Sequence, residues 1–113
     1  MNVEQIWTQA RDRYGIRQDW RKPPPAAVAA LTVLAEKGTC YGAEIARLSG
    51  ANQSKVCRAL QRLEDFRFAQ RAGARPILSG RRLGRGGKPA EFWRLTPAGQ
   101  RLVAALHAEG GAE

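Results

Sequence analysis

Apolar residues recur at intervals of three and four along this chain, the spacing that places them on one face of an α-helix. Within residues 3–14 that face holds Val3, Ile6, Trp7, Ala10 and Tyr14. Gly15 follows at a position where a glycine commonly ends a helix. The charged segment from Ile16 to Pro25 ends in three prolines and predicts an extended connector.

A second helix is predicted from about Ala26 to Lys37, because Pro25 suits the first helical position and Gly38 the end. Its buried stripe would hold Val28, Leu31, Leu34 and Ala35. The short segment 39–41 is extended in this interpretation. A small helix from about Gly42 to Leu48 follows, with inward-facing residues Ile45 and Leu48.

The turn Ser49-Gly50-Ala51 has the length that joins two helices at a steep angle. Asn52 caps a longer helix that reaches about Phe66. The apolar stripe of this helix recurs at i, i+3, i+4 and i+7 and consists of Val56, Ala59, Leu60 and Leu63. The two helices and their turn predict a helix-turn-helix.

A two-stranded hairpin is predicted next, from a strand at Arg67–Ala72, a basic turn over 73–90 and a returning strand at Glu91–Leu95. Thr96 as N-cap and Pro97 at the first helical position begin a last helix. That helix runs to about Ala108, and its buried residues would be Leu102, Val103 and Leu106.

The predicted fold class is therefore mainly α with a small β-hairpin: a winged helix-turn-helix with an added N-terminal helix and a C-terminal helix. Residues 26–96 would form the winged domain. Residues 1–25 and 97–113 are expected to mediate dimerisation, because an amphipathic terminal helix beside so small a core usually needs a second copy. The interface residues expected on this basis are Ile6, Trp7, Leu102 and Leu106.

Trp7 in the first helix and Trp20 in the connector are hard to accommodate in so small a core. Either could line a dimer interface or an aromatic ligand pocket. We favour the interface, because an aromatic stripe packs more often than it binds a ligand. Trp93, in the returning strand, is expected in the core.

Basic residues are concentrated in one part of the chain. The net charge of +9 divides into +2 for residues 1–25, +1 for 26–66, +7 for 67–90 and −1 for 91–113. The stretch 67–90 contains seven basic residues and no acidic one. A basic excess confined to one segment is typical of a protein that binds nucleic acid.

The helix from Asn52 has the polar and basic face that a major-groove helix needs. Gln53, Ser54, Lys55 and Arg58 would contact base edges, since Gln pairs with adenine and Arg or Lys with guanine. Arg62 lies further along the same face and is expected on a phosphate. The alternative is an ordinary surface helix with a solvated polar side.

The glycine-rich basic turn favours the DNA interpretation. Arg81, Arg82 and Arg85 would enter or flank the minor groove, and Lys88 would contact the DNA backbone. Nucleotide-binding motifs are excluded, because Arg82 stands where a Walker A loop needs its first glycine. Pro89 replaces both the serine or threonine of that loop and the last glycine of a dinucleotide fingerprint.

No enzyme, cofactor or metal site is expected. One histidine and no clustered carboxylates provide no acid–base pair, and Cys40, Cys57 and His107 have no ligand spacing. Oxidation of Cys57 beside the DNA-facing side could weaken binding. No apolar run approaches the ~18 residues of a membrane span and no secretory signal is recognisable, so a cytoplasmic protein without a membrane partner is expected.

Three stretches resemble the PadR-like transcriptional regulators. They are Tyr41-Gly42-Ala43-Glu44-Ile45, the segment Val56–Glu64, and Gly87-Lys88-Pro89 leading into Phe92-Trp93-Arg94-Leu95-Thr96-Pro97-Ala98-Gly99. The resemblance covers about residues 26–106, and its helix-turn-helix centre is shared with MarR-like and other winged-helix proteins. It implies a homodimeric DNA-binding regulator, often a repressor released by a small molecule. The long arginine-rich turn, Glu91 and the N-terminal helix depart from the family pattern.

These observations predict a sequence-specific, double-stranded DNA-binding transcriptional regulator, a repressor that acts as a homodimer on a pseudo-palindromic operator. Half-sites would lie about one helical turn (~34 Å) apart. Two alternatives remain open: a sequence-independent architectural DNA-binding protein, and a winged-helix adaptor whose basic turn meets an acidic protein. The identity of any small-molecule effector is unknown from the sequence.

Overall fold

The computed structural model of the chain describes residues 2–17, 20–75 and 90–110. These residues form five helices and three strands in the predicted order. The elements are α1 (Val3–Arg13), α2 (Pro25–Lys37), β1 (Thr39–Tyr41), α3 (Gly42–Ser49), α4 (Gln53–Asp65), β2 (Ala69–Arg75), β3 (Ala90–Leu95) and α5 (Pro97–Gly110). The predicted fold class, a winged helix-turn-helix with an added helix at each end, is confirmed.

Local chemistry at the helix starts explains why these boundaries could be predicted. Asn2 caps α1 in a reciprocal capping box with Gln5, and Pro25 occupies the first turn of α2. The Asn52 side chain accepts hydrogen bonds from two backbone amides of α4. The Thr96 hydroxyl accepts from the Gly99 amide at 3.0 Å. Each cap satisfies amide groups that the helix itself leaves unpaired.

The sheet has three strands, in the order β1-β3-β2, and both pairings are antiparallel. The short extended segment predicted at 39–41 is confirmed as β1, but the predicted two-stranded hairpin left out its pairing: Cys40 of β1 lies opposite Trp93 of β3. A three-residue strand has no recognisable period that would indicate its partner. The register of β2 against β3 shifts between Arg71 and Gly73, an irregularity that bends the strand.

β2 starts at Ala69 and not at the predicted Arg67, because a turn follows α4. Arg67 has a φ of 65°, and its amide donates to the Glu64 carbonyl at 3.0 Å. The Phe68 amide donates to the Leu63 carbonyl at 2.8 Å. This pair of bonds is a Schellman motif, in which the residue after the cap takes the left-handed conformation. Arginine occupies this position although glycine is the usual choice.

The core lies between the helices and one face of the sheet. The predicted stripe of α4 is confirmed, because Val56, Ala59, Leu60 and Leu63 are all buried. The predicted stripe of α2 was partly wrong: Ala35 is exposed and Val28 half-buried. Because α3, α4 and α5 all pack against α2, its buried set is broader and consists of Ala27, Ala30, Leu31, Val33 and Leu34. Leu48, predicted inward, is 42% exposed.

Two of the residues expected at a dimer interface are inside the protomer. Trp7 and Leu102 have no exposed surface. The Trp7 ring stacks on Phe66, with centroids 4.0 Å apart, and also faces Phe68 at 5.7 Å. α1 therefore packs against the residues that connect α4 to β2, and this contact buries the large indole that the sequence left without a core position. Ile6 and Leu106 remain half-buried.

α5 is joined to the start of β2 through the Thr96–Gly99 turn. The Thr96 hydroxyl donates to the Arg67 carbonyl at 2.6 Å, and the Thr96 amide donates to the Phe68 carbonyl at 3.1 Å. Gly99 packs so closely that an added Cβ would overlap the Phe68 carbonyl oxygen. The Thr-x-x-Gly spacing thus has a physical basis: threonine caps the helix, and glycine allows β2 to approach it.

We expect Gly99→Ala to lower the free energy of unfolding by about 1–3 kcal/mol, because the methyl group would force two backbone segments apart. Gly42→Ala is the matched control, since its Cβ would meet only ordinary contacts at 3.7 and 3.9 Å. Urea unfolding of the two variants measures the difference. Equal stability of both variants would contradict the close approach of α5 to β2.

Candidate nucleic-acid interface

The helix-turn-helix holds α4 by its apolar stripe and leaves the opposite side exposed. Gly50 ends α3 in the left-handed conformation, with a φ of 73°. The Asn52 side-chain oxygen accepts from the Ser54 amide at 2.9 Å and from the Lys55 amide at 3.4 Å. α4 therefore begins directly after the short turn that ends α3, and Asn52 caps its first backbone amides.

The four residues predicted to contact bases share one property: their side chains are all exposed. They are Gln53, Ser54, Lys55 and Arg58. The first turn of α4 contains no acidic residue, and within the described residues no carboxylate pairs with Lys55 or Arg58. The structure thus brings together amide, hydroxyl and cationic groups on an accessible helix face. These are the groups that bind base edges and phosphates.

Arg62, predicted on a phosphate, has a contact that sequence reasoning missed. Its guanidinium carbon lies 4.7 Å from the centroid of the Trp20 ring in the connector. Trp20 is 40% exposed, and Arg62 is half-buried. The two residues are far apart in sequence, so no local pattern could have indicated that they meet.

The described base of the hairpin is held by ion pairs on one side. Arg71 lies 3.6 Å from a Glu64 carboxylate oxygen and 3.4 Å from one of Glu91, and its guanidinium faces the Trp93 ring at 5.2 Å. Glu91, which departs from the PadR-like pattern, therefore has a structural role because its carboxylate pairs with Arg71. Trp93 is buried, as predicted.

The predicted wing residues Arg81, Arg82, Arg85 and Lys88 lie outside the described residues, as do the glycines between them. What the structure describes is where that segment starts and ends. Arg75 of β2 lies opposite Ala90 of β3, so residues 76–89 connect the ends of two adjacent antiparallel strands.

The two cysteines have different environments. Cys40 is buried, and its thiol donates to a Glu44 carboxylate oxygen at 3.2 Å. Burial, followed by the Glu44 hydrogen bond and charge, raises the pKa of Cys40 from 9.0 to about 11. Cys57 is exposed on α4. Among the described residues, no three His, Cys, Asp or Glu side chains are grouped as metal ligands.

A groove with a volume of about 380 Å³ lies between α1, α5 and the turn after α4. Its wall is aromatic and aliphatic, with arginines at two points, and is lined by Ile6, Ala10, Arg13, Tyr14, Phe66, Phe68 and Arg101, among others. Trp7, considered above for an aromatic ligand pocket, is buried behind this wall instead of lining it. Within the described part of the chain, no helix is long and apolar enough to cross a membrane.

No protein-family model and no curated protein matches the chain. Solved structures do match it. A MarR-family transcriptional regulator from Silicibacter pomeroyi is 18% identical with a TM-score of 0.60, covering 97% of this chain and 62% of that one. BpsR from Bordetella bronchiseptica, whose DNA binding is regulated by 6-hydroxynicotinic acid, is 17% identical with a TM-score of 0.64. The match covers 97% of this chain and 79% of BpsR. The PcaV regulator from Streptomyces coelicolor is 16% identical with a TM-score of 0.62, and the match covers 96% of this chain and 72% of PcaV.

At these identities the likeness shows the fold: the chain has the winged-helix fold found in MarR-family transcriptional regulators. The neighbours are transcriptional regulators, and their fold is the one that the MarR-like side of the sequence resemblance implies. The chain spans about two thirds or less of the first two structures it matches, at 62% and 66% of their lengths.

Cys57 should react with a maleimide much faster than Cys40 at pH 7.5, because Cys40 is buried and its pKa is raised to about 11. Mass spectrometry of the briefly labelled native protein should show one adduct. Cys57→Ser should remove it, whereas Cys40→Ser should not. Equal labelling of both thiols in the folded protein would contradict the burial of Cys40.

Proposed function

We propose that this chain is a sequence-specific, double-stranded DNA-binding transcriptional regulator that represses its target as a homodimer on a pseudo-palindromic operator. The observation that carries the proposal is α4: a helix held by a fully buried stripe, with Gln53, Ser54, Lys55 and Arg58 exposed on its other side. Such a helix can enter a major groove without disturbing the core that supports it.

The charge distribution supports a duplex partner. The segment 76–89 that joins β2 to β3 carries Arg81, Arg82, Arg85 and Lys88 and no acidic residue. In the proposed complex these side chains lie in or beside the minor groove and on phosphates. The fold shared with transcriptional regulators supports the same role. The motif resemblance to PadR-like proteins supports a regulatory role as well.

Dimerisation through the terminal helices is supported by how α1 and α5 pack. The Val3 amide donates to a Glu109 carboxylate oxygen at 2.5 Å, so both helices present one joined surface. Because Trp7 and Leu102 are buried in the protomer, the proposed interface uses the half-buried Ile6 and Leu106. In this arrangement the winged domain, residues 26–96, is flanked by residues 1–25 and 97–113. The flanking segments bring two α4 helices to adjacent major grooves.

An effector is a further part of the proposal. The groove between α1, α5 and the turn after α4 has a volume suited to a small molecule. Its aromatic and aliphatic side chains, together with the guanidinium groups of Arg13 and Arg101, suit a ligand with an apolar part and an anionic group. Such a ligand would lie against the helices that carry the dimer and against Phe66 and Phe68, next to the end of α4.

Selection of binding sites from random duplexes with the purified protein tests the proposal. We expect a selected pseudo-palindrome to be bound at least ~10³-fold more tightly than bulk DNA. A ratio near one would instead establish the architectural alternative. Failure to bind any duplex at ~50 mM salt, where electrostatic binding is strongest, would favour the protein adaptor.

Substitutions in α4 and in the basic turn should have different signatures. Lys55→Ala and Arg58→Ala should relax specificity at particular operator positions, at a cost of about 1–3 kcal/mol for a lost bidentate contact. The triple substitution of Arg81, Arg82 and Arg85 by alanine should weaken binding to all sequences and flatten the salt dependence by about 0.9 per lost phosphate contact. Lys37→Ala, which removes one exposed positive charge at the end of α2, is the charge-matched control for the single substitutions.

These effects are measured by fluorescence anisotropy with operator and scrambled duplexes over a salt series. An unchanged salt slope for the triple variant would mean that the basic turn does not contact DNA. A loss of affinity from Lys37→Ala equal to that from Lys55→Ala or Arg58→Ala would mean that net charge alone controls binding.

Leu106→Asp should convert the dimer to a folded monomer, because a carboxylate on the proposed α1–α5 interface would lose its hydration on association. Sedimentation velocity measures the state, and circular dichroism checks the fold. His107→Asp, at the exposed neighbouring position, should leave the dimer intact. A Leu106→Asp protein that still sediments as a dimer would remove this face from the interface.

A further inference from the structure

α4 carries a row of cations that ends beside an aromatic ring of the connector. Lys55, Arg58 and Arg62 are three and four residues apart, so they lie along one face of the helix. Lys55 and Arg58 are exposed, whereas Arg62 is half-buried under Trp20. The last cation of the row is therefore held by a side chain from outside the helix-turn-helix.

Trp20 is held at this position by the first helix. Its backbone carbonyl accepts from Arg11 Nη1 at 3.4 Å, and its indole ring faces Arg62. The indole is nevertheless 40% exposed, which distinguishes it from the buried Trp7 and Trp93. This open indole lies against the guanidinium of Arg62, with 4.7 Å between the ring centroid and the guanidinium carbon.

The contact leaves Arg62 able to bind an anion. An aromatic face attracts a guanidinium through its quadrupole and uses none of the N–H donors. Within the described residues no carboxylate pairs with Arg62, and the nearby Glu64 pairs with Arg71. A guanidinium that is restrained but has its charge uncompensated suits a phosphate, since less side-chain freedom is lost on binding.

We propose that Trp20 is a positioning residue for DNA: it holds the Arg62 guanidinium at the end of the α4 cation row, where Arg62 contacts a backbone phosphate of the duplex. This inference rests on the proposed DNA-binding function. It assigns a role to the connector, which runs from α1 to α2 along the chain and places Trp20 against Arg62 of α4.

A double-mutant cycle on the selected operator tests this role. Trp20→Leu should weaken binding about two- to fivefold, the range expected for one exposed cation–π contact. Arg62→Ala should weaken binding and flatten the salt slope by about 0.9. Combined with Arg62→Ala, Trp20→Leu should cause no further loss. Trp20→Phe keeps an aromatic face and should retain most of the affinity.

Leu48→Ala is the control, because Leu48 is an apolar side chain exposed to a similar extent, at 42%, and lies on α3, outside the α4 cation row. It should change neither the affinity nor the slope. If Trp20→Leu lowers the melting temperature, Trp20→Phe is compared with wild type instead, once with Arg62 present and once with Arg62→Ala. A difference in affinity that appears only when Arg62 is present then supports the role of Trp20.

Three results would overturn the inference: the same loss from Trp20→Leu with and without Arg62, no loss in either background, or an unchanged slope for Arg62→Ala. None of them would affect the proposed function as long as Lys55→Ala and Arg58→Ala alter operator binding. If those two variants also bind like wild type, the proposed function itself fails.

Discussion

The aromatic stack at the exit of α4 is the interaction on which the rest of the structure depends. Trp7 of α1 lies against Phe66 and Phe68, on either side of the left-handed Arg67. At this turn the chain passes from the helix of the proposed interface into the hairpin, and Thr96 of α5 bonds to the same backbone. A single buried cluster therefore lies where α1, the end of α4 and the entry to the hairpin meet, and the Thr96 hydrogen bonds join α5 to the same place.

The position of each cation matters more than the total charge of the chain. Arg71 is neutralised by Glu64 and Glu91 and serves to hold the hairpin against α4. Lys55 and Arg58 have no such partner among the described residues, so their charge is available to a polyanion. Exposed ion pairs contribute little stability on their own. Their effect here is to separate cations that already have carboxylate partners from cations whose charge is open to a ligand.

Much of the fold and of the candidate site could be predicted because the signals are local. Asn52 and Thr96 cap helices through bonds to amides two or three residues away, and the stripe of α4 repeats within a single helix. The exposed face of α4 follows from that stripe by geometry. Errors occurred where burial depends on distant elements: Leu48 is exposed, Ala35 is exposed, and Trp7 lies in the core instead of an interface.

The sequence by itself determined the order of the elements, the helix-turn-helix and the concentration of positive charge, because periodicity, caps and composition are properties of neighbouring residues. Tertiary structure alone decided that β1 joins the sheet and that Arg62 meets Trp20. It also decided that Gly99 must be small. Each of these depends on residues brought together from separate parts of the chain, and a pattern among neighbouring residues gives no information about such contacts.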